Sequence, residues 1–402
     1  SKSIIFKRFK FLIQMMKYSK TSKVAVLQDG YDVSFISQNF STKKILNIKN
    51  MILQKIPEKI FTNKKLEKEI KKQSEKFFYK WFGKLSEKII ESYCNQISIF
   101  CNLNALILRE SEITLKKNKI KHLLCSIGVQ DQIEYLISRS CNKLNIKIHS
   151  FKHSGIENIF FKNSILDDYL EKKSNPPRIQ YLHSKMEEER FKNLKEVETN
   201  ILGRLEIVDF KYLEKKSNPN ILYCLGPENH TSFKEMDRIT YDSERYKFII
   251  ELLKCSSNHN LKLDFKLHPK ERRDQFNNLK NIIKNYKKIK FSILPEGTVE
   301  NIFCQYNLII IDMAYTRVFS SLLYLKKDFI LFLPNDIDVE PNHFAALNER
   351  VHIIRKVEEL EFKIIEFKEK KLKKKKIKPF NNFYLKYPST EEIDIIKKEL
   401  EL

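Results

Sequence analysis

NILYCLG at 220–226, LKLDFKLHP at 261–269, KIKFSILP at 288–295, NLIIIDM at 307–313 and DFILFLP at 328–334 are five short apolar runs, each leading into a polar or turn-forming stretch. The segments between them, SERYKFIIELLKCSS (243–257), FNNLKNIIKNY (276–286), TVENIFCQY (298–306) and TRVFSSLLYL (316–325), space their apolar residues at the three-to-four interval of a helix. Strands alternating with helices predict a parallel, doubly wound α/β sheet over this half of the chain.

Upstream the same alternation is looser. KVAVLQDG reads as a strand ending in a turn, and residues 42–100 are charged and helix-rich. ALILRE (105–110) and KHLLCSIG (121–128) read as buried strands, VQDQIEYLISRSCNKL as a helix, and IKIHSFKH (146–153) as a strand running up to Gly155. Residues 170–220 form a transition zone in which the octapeptide YLEKKSNP occurs at 169–176 and again at 212–219. Two copies do not make a repeat architecture, and no function follows from them. Downstream, LKKKKIKP (372–379) precedes STEEIDIIKKELEL, a helix whose start is marked by the capping pair Ser389 and Glu392.

At 402 residues the chain exceeds one ordinary core, and its 42% hydrophobic content is enough for two. The expected division is an N-terminal Rossmann-like domain over 1–218, a second over 219–370, and a Lys-rich linker with a C-terminal helix over 371–402, with the boundary near Asn218-Pro219. The net charge of +24 calls for anionic partners or counterions; abundant Lys, Ile and Asn are also what an AT-rich genome produces. Residues 1–20 read as a basic amphipathic helix, either an ordinary surface helix or one lying on a membrane; the 372–379 run reads as a solvated linker or as a contact for a membrane surface or an acidic substrate. Seven scattered cysteines without a CxxC pair suit reduced thiols and a cytoplasmic protein. No run reaches the ~18 apolar residues of a membrane span, and no signal peptide is evident.

Ligands of open α/β sheets bind beyond the carboxyl ends of the strands. In the second half those ends carry Gly226-Pro227, His268-Pro269, Pro295-Glu296-Gly297, Asp312 and Tyr315-Thr316. Lys266 and His268 can neutralise a phosphate leaving group, and Pro269 fixes the turn that aims the imidazole. Thr316 places a hydroxyl at a helix start, where unpaired N–H groups suit phosphate. Glu300 either accepts hydrogen bonds from ribose or is a solvated helix carboxylate. In the first half, His153 at a strand end has a pKa suited to deprotonating an acceptor hydroxyl, unless it is a loop histidine without a partner. Asp29 in LQDGYD is a rival base, and Glu110 and Glu112 are a third option. Nine scattered His with no HExxH, no Walker loop and no GxGxxG argue against a metal, ATP hydrolysis or dinucleotide binding.

The order ILYCLG, FKLHPKE, ILPEGTVENIF and LIIIDMAYTRVFSSLLYLKKDFILFL resembles the C-terminal domain of GT-B glycosyltransferases. It is most similar to bacterial surface-polysaccharide enzymes: CDP-glycerol glycerophosphotransferases and the CMP-sugar-using sialyl-, polysialyl- and Kdo-transferases. The resemblance covers 220–335 best. It implies that His268-Pro269 and the hydroxylic helix start bind the nucleotide phosphate and that Glu300 lies near the ribose; Ala314-Tyr315-Thr316 departs from the family's paired Ser/Thr. SFKHSGIEN (150–158) resembles the glycerophosphotransferase segment whose His is a candidate base, with Ser154 intervening before Gly155, and Gln28-Asp29-Gly30 resembles the sialyltransferase acidic motif. NILGRLEIVD (200–209) resembles the segment leading into the hinge, so Gly203 and Arg204 are expected there.

The expectation is therefore a two-domain GT-B transferase without cofactor. It takes a CMP- or CDP-linked sugar or polyol phosphate and delivers it to a glycan or lipid-linked acceptor, in the cytoplasm or at the inner face of the plasma membrane. A nucleotide-sugar epimerase of the same architecture and, less favoured for lack of any motif, a nucleic-acid-binding protein are the alternatives.

Overall fold

The computed structural model describes residues 23–27, 33–36, 45–57, 64–82, 87–126, 132–151, 178–191, 197–205, 220–226, 238–268, 272–286, 290–294, 299, 302–312, 317–324, 328–333, 341–372, 375 and 385–400. Among the described residues, two six-stranded sheets organise the fold. The first contains β1 (Val24–Val26), β2 (Ile45–Asn47), β3 (His122–Cys125), β4 (Lys147–Phe151), β5 (Arg178–Leu182) and β6 (Val197–Ile201), in the order β2-β1-β3-β4-β5-β6. The second contains β7 (Asn220–Cys224), β8 (Lys262–Lys266), β9 (Phe291–Ile293), β10 (Leu308–Ile311), β11 (Phe329–Phe332) and β12 (His352–Ile354), in the order β12-β11-β10-β7-β8-β9. Every pairing in both sheets is parallel. The predicted boundary at Asn218-Pro219 and both YLEKKSNP copies lie outside the described residues, as does the segment 1–20.

The helices among the described residues are α1 (Ile48–Leu53), α2 (Lys64–Phe82), α3 (Glu87–Lys117), α4 (Gln132–Lys143), α5 (Lys185–Phe191), α6 (Arg238–Asn258), α7 (Arg272–Ile283), α8 (Arg317–Tyr324), α9 (Pro341–Arg350), α10 (Glu359–Lys368) and α11 (Thr390–Glu399). Parallel strands buried on both faces need a core on each side. Ile221 and Tyr223 of β7, with Leu225 just beyond it, point to a core shared with Phe248, Ile249, Leu252 and Leu253 of α6. The alternate residues Leu222 and Cys224 point to a core shared with Phe319, Leu322 and Leu323 of α8.

Three expectations need correction. ALILRE is no strand: it lies within α3, where buried Cys94, Ser98, Ile107, Ser111 and Leu115 recur at helical spacing. A short apolar run has no periodicity of its own to distinguish the two states, and the flanking residues decide. The transition zone holds β5, α5 and β6. It did not read as a strand because β5 alternates Arg178 and Gln180 with apolar residues, yet both are buried: Arg178 Nε donates to Gln180 Oε1 at 3.2 Å, and Gln180 Nε2 donates to the Ser150 carbonyl at 3.1 Å. Beyond the five predicted strands the second sheet also holds β12, flanked in the chain by α9 and α10. Of TVENIFCQY, Phe303–Gln305 forms a single 3-10 turn.

The two halves are joined by contacts from the chain after β6 and from residues 385–400. Beyond β6, Arg204 is fully buried and its Nη1 donates to Ser320 Oγ at 2.7 Å and Ser321 Oγ at 2.9 Å on α8. Leu385 packs into the core around Phe319, whereas Ile396 and Leu400 pack against Val24, Leu124, Phe151 and Tyr181 of the first sheet. Residues 385–400 therefore run from the second core to the first. α11 starts with the reciprocal capping box of Ser389 and Glu392. At Gly203, where φ is +78°, a Cβ would sit 2.2 Å from the Lys386 carbonyl oxygen, so the crossing requires glycine on both counts. Among the described residues no helix is long and apolar enough to cross a membrane, and no disulfide joins the cysteines.

Candidate functional site

The strand order of the second sheet sets where a ligand would sit. The chain leaves β7 for β8 and β9 on one side, then returns to β10 on the other. The gap between the carboxyl ends of β7 and β10 is the topological switch point of the sheet. Gly226 follows β7 and Asp312 follows β10, and the Gly226 N–H donates to Asp312 Oδ1 at 2.7 Å across that gap. The other carboxylate oxygen accepts the Tyr223 hydroxyl at 2.8 Å and lies 2.9 Å from Arg245 Nε on α6. Asp312 and Arg245 are both buried, so the pair stands only because each charge is matched.

Gln275 on α7 extends this frame to β8. Its Nε2 donates to the Gly226 carbonyl at 2.7 Å, and its Oε1 accepts the His268 N–H at 2.8 Å. One buried amide thus fixes the chain after β7 and the chain after β8, with Asp312 fixing the first of these to β10. The Leu225 N–H donates to the Lys266 carbonyl at 2.9 Å, closing the same edge from below.

Within this frame His268 is partly exposed just past β8, and Gly226 is buried. Lys266 is 5% exposed. By strand alternation Lys266 shares its face with Asp264, opposite the face on which Leu263 and Phe265 join the α6 core. The structure thus brings Gly226, Lys266 and His268 to one edge. Pro227, Pro269, Pro295, Glu296, Gly297, Glu300, Tyr315 and Thr316 follow the same strands but lie outside the described residues. So do Asp29 and His153, which follow β1 and β4. Glu110 and Glu112 are removed from the candidate bases: they sit on α3, where Glu110 lies 3.8 Å from Lys55 and Glu112 2.7 Å from Lys143.

Arg245 and Gln275 were not singled out in the sequence. Each nevertheless carries a signal there: Arg245 lies one helical turn before buried Ile249, and Gln275 is in line with buried Leu279 and Ile283. A polar residue on the apolar stripe of a helix must find a buried partner, and both find it at the strand ends.

A second buried polar chain crosses the first sheet. His122 Nδ1 is 3.0 Å from His149 Nε2, His149 Nδ1 is 2.9 Å from the Tyr181 hydroxyl, and that hydroxyl donates to Glu399 of α11. Because Tyr181 gives its proton to a carboxylate, its oxygen must accept from His149 Nδ1–H, which leaves His149 Nε2 to accept from His122. Burial, reinforced by His122 and Lys147, pushes the His149 pKa down to about 3, consistent with a neutral ring. This chain ties α11 to the sheet interior and does not reach the carboxyl edge.

The two parallel sheets with flanking helices are the GT-B fold. A putative UDP-N-acetylglucosamine 2-epimerase from Listeria monocytogenes shares it at a TM-score of 0.51, with 11% identity over 95% of this chain and 97% of that one. Anabaena HepE, solved with UDP and glucose, is similar at a TM-score of 0.49, with 11% identity over 94% of this chain and 99% of that one. The UDP-GlcNAc 2-epimerase of Methanocaldococcus jannaschii is similar at 0.48, with 17% identity over 94% and 99%. No protein-family model matches the sequence, and no curated protein sequence does.

Proposed function

We propose that this chain is a nucleotide-sugar-dependent transferase whose donor binds at the carboxyl edge of the second sheet. The observation that carries the reading is the buried frame of Asp312, Gly226 and Gln275. It fixes the chain segments around the switch point and holds His268 at that edge. A core needs no such frame, whereas a ligand site gains from loops held before the ligand arrives.

In this reading the nucleotide phosphates meet Lys266, His268-Pro269 and the helix start at Thr316, with Glu300 at the ribose. The acceptor hydroxyl attacks the transferred carbon, or the phosphorus of a polyol phosphate donor. The bond to the nucleotide's leaving phosphate oxygen breaks with its electron pair. The hydroxyl proton passes to His153 or Asp29. Cationic and imidazole groups stabilise the departing phosphate by acting where charge develops. The donor is a CMP- or CDP-linked sugar or polyol and the acceptor a glycan or lipid-linked glycan.

Melting the full chain with CMP, CDP, UDP, GDP and their sugars tests this directly, because a ligand that binds only the native state raises the midpoint. A cytidine nucleotide is expected to give the largest rise, and His268→Ala to remove it without lowering the ligand-free midpoint. No rise with any nucleotide overturns the reading.

A second reading is a nucleotide-sugar epimerase, favoured by the whole-chain likeness to the Listeria protein. It predicts epimer formation from the nucleotide sugar alone, whereas a transferase requires the acceptor.

A further inference from the structure

We infer that the outer face formed by α7 and β9 is a docking surface for an anionic lipid bilayer. This rests on different residues from the nucleotide reading and stands without it. β9 is the outermost strand of the second sheet on that side. Between it and α7 runs an open groove of about 520 Å³, lined in part by Phe276, Lys280, Ile283, Lys284, Phe291 and Ile293. Phe276 and Phe291 are each 41% exposed, among the few large apolar side chains left in solvent. Phe276, Lys280 and Lys284 follow one another at four-residue spacing, so α7 and the turn that continues it present them as one row.

The charge of this face is one-sided. From Gln275 to Pro295 the sequence has five lysines, at 280, 284, 287, 288 and 290, and no acidic residue. Three lysines on other helices of the same half are tied to carboxylates: Lys247 to Glu244 at 2.6 Å, Lys254 to Glu251 at 3.2 Å and Lys363 to Glu366 at 2.8 Å. Among the described residues, exposed Lys280, Lys284 and Lys290 face no carboxylate. Half-exposed phenyl rings with flanking ammonium groups match the boundary of a bilayer: the rings enter the apolar layer while the lysine heads stay at the level of lipid phosphates. A second copy of the chain would bring the same lysines against each other, with a net charge of +24 on each partner.

The test uses the full chain with its single tryptophan, Trp81, replaced by Phe and a reporter introduced as Phe276→Trp or Phe291→Trp. Phosphatidylcholine vesicles with and without phosphatidylserine are added, and the acyl chains are brominated in a parallel series. The expected result is a blue shift and bromine quenching of either reporter with the anionic vesicles only, reversed by high salt. The triple variant K280E/K284E/K290E should lower partitioning at least about tenfold at an unchanged melting midpoint. Sedimentation with vesicles without quenching would show that another basic segment binds, and overturns the inference. Equal partitioning of the triple variant overturns it too. So does a doubled mass in vesicle-free solution that the same substitutions abolish. Should the Trp81 replacement not fold, hydrogen exchange over 276–293 in the wild-type chain decides: slowing with anionic vesicles supports the inference, and unchanged exchange overturns it.

Discussion

Asp312 at the end of β10 accepts the backbone N–H of Gly226 at the end of β7, and with that one contact the two strands flanking the switch point of the second sheet share a fixed edge. The carboxylate belongs to the frame of the site and to the core at once, since Tyr223 and Arg245 hold its other oxygen from below. Replacing Asp312 by Ala should destabilise the chain by ~3–5 kcal/mol, because it leaves the Arg245 charge buried without its counter-ion. Adding Arg245→Leu to that variant should recover part of the loss. Urea unfolding of the two single variants and the double variant measures the coupling.

Gln275→Leu should separate stability from ligand binding. It leaves the buried Gly226 carbonyl and the His268 N–H unsatisfied, at ~1–3 kcal/mol for each group. The nucleotide-induced rise in midpoint should fall by more than the ligand-free midpoint does. Gln275→Glu keeps the acceptor for His268 but sets a buried carboxylate oxygen against the Gly226 carbonyl, so at neutral pH it should cost at least as much as Gln275→Leu. Calorimetric melting with and without nucleotide reads both effects.

The contact of Arg204 with Ser320 and Ser321 links the end of β6 to α8 of the other sheet. Each hydrogen bond to a charged group is worth ~1.5–3 kcal/mol. Arg204→Ala should therefore be clearly destabilising, and Ser320→Ala with Ser321→Ala comparably so, because the guanidinium stays buried. Gly203→Ala should be destabilising as well, since the added Cβ meets the Lys386 carbonyl. Limited proteolysis is expected to cut all three variants faster than the wild type.

Acidification should weaken the fold in a definite window. His149 is held down to about 3 by burial, with His122 and Lys147 adding to it, and His352 to about 4 by burial and then Lys375. A histidine whose folded pKa is depressed takes up a proton more readily in the unfolded chain. Stability is then full above the unfolded value of ~6.5 and falls as the pH drops toward the folded value. Glu392 acts in the same direction at lower pH: burial opposes its ionisation, but hydrogen bonds from Lys386 and Ser389 outweigh this and hold it at about 2. Unfolding free energies from urea titrations should decline from pH 6.5 to pH 4 by up to ~1.4 kcal/mol per pH unit for each such histidine. His149→Asn should flatten that slope. An identical slope in the variant would remove His149 as its source.

Where strand and helix in the second half each carry a full apolar period, local residues sufficed. β7, β8, β10 and β11 with α6, α7 and α8 lie where the spacing placed them, because strands buried on both faces are mostly apolar, with buried Asp264 and Lys266 of β8 as exceptions. Where elements are short or polar, the chain alone was ambiguous. Ile107 belongs to a helix because Cys94 and Leu115 continue its period at a distance, and β5 is a strand because Arg178 and Gln180 find partners only after β4 has arrived.

The sequence by itself determined the parallel α/β class and the positions of Gly226, Lys266 and His268 at strand ends, since both follow from periodicity along the chain. Only the tertiary structure decided that Arg245, Gln275 and Asp312 meet under those ends, that Arg204 reaches Ser320 and Ser321, and that α11 returns to the first sheet. Those contacts join residues far apart in the chain, and a buried polar group can be assigned a partner only once the fold has brought the two into one desolvated space.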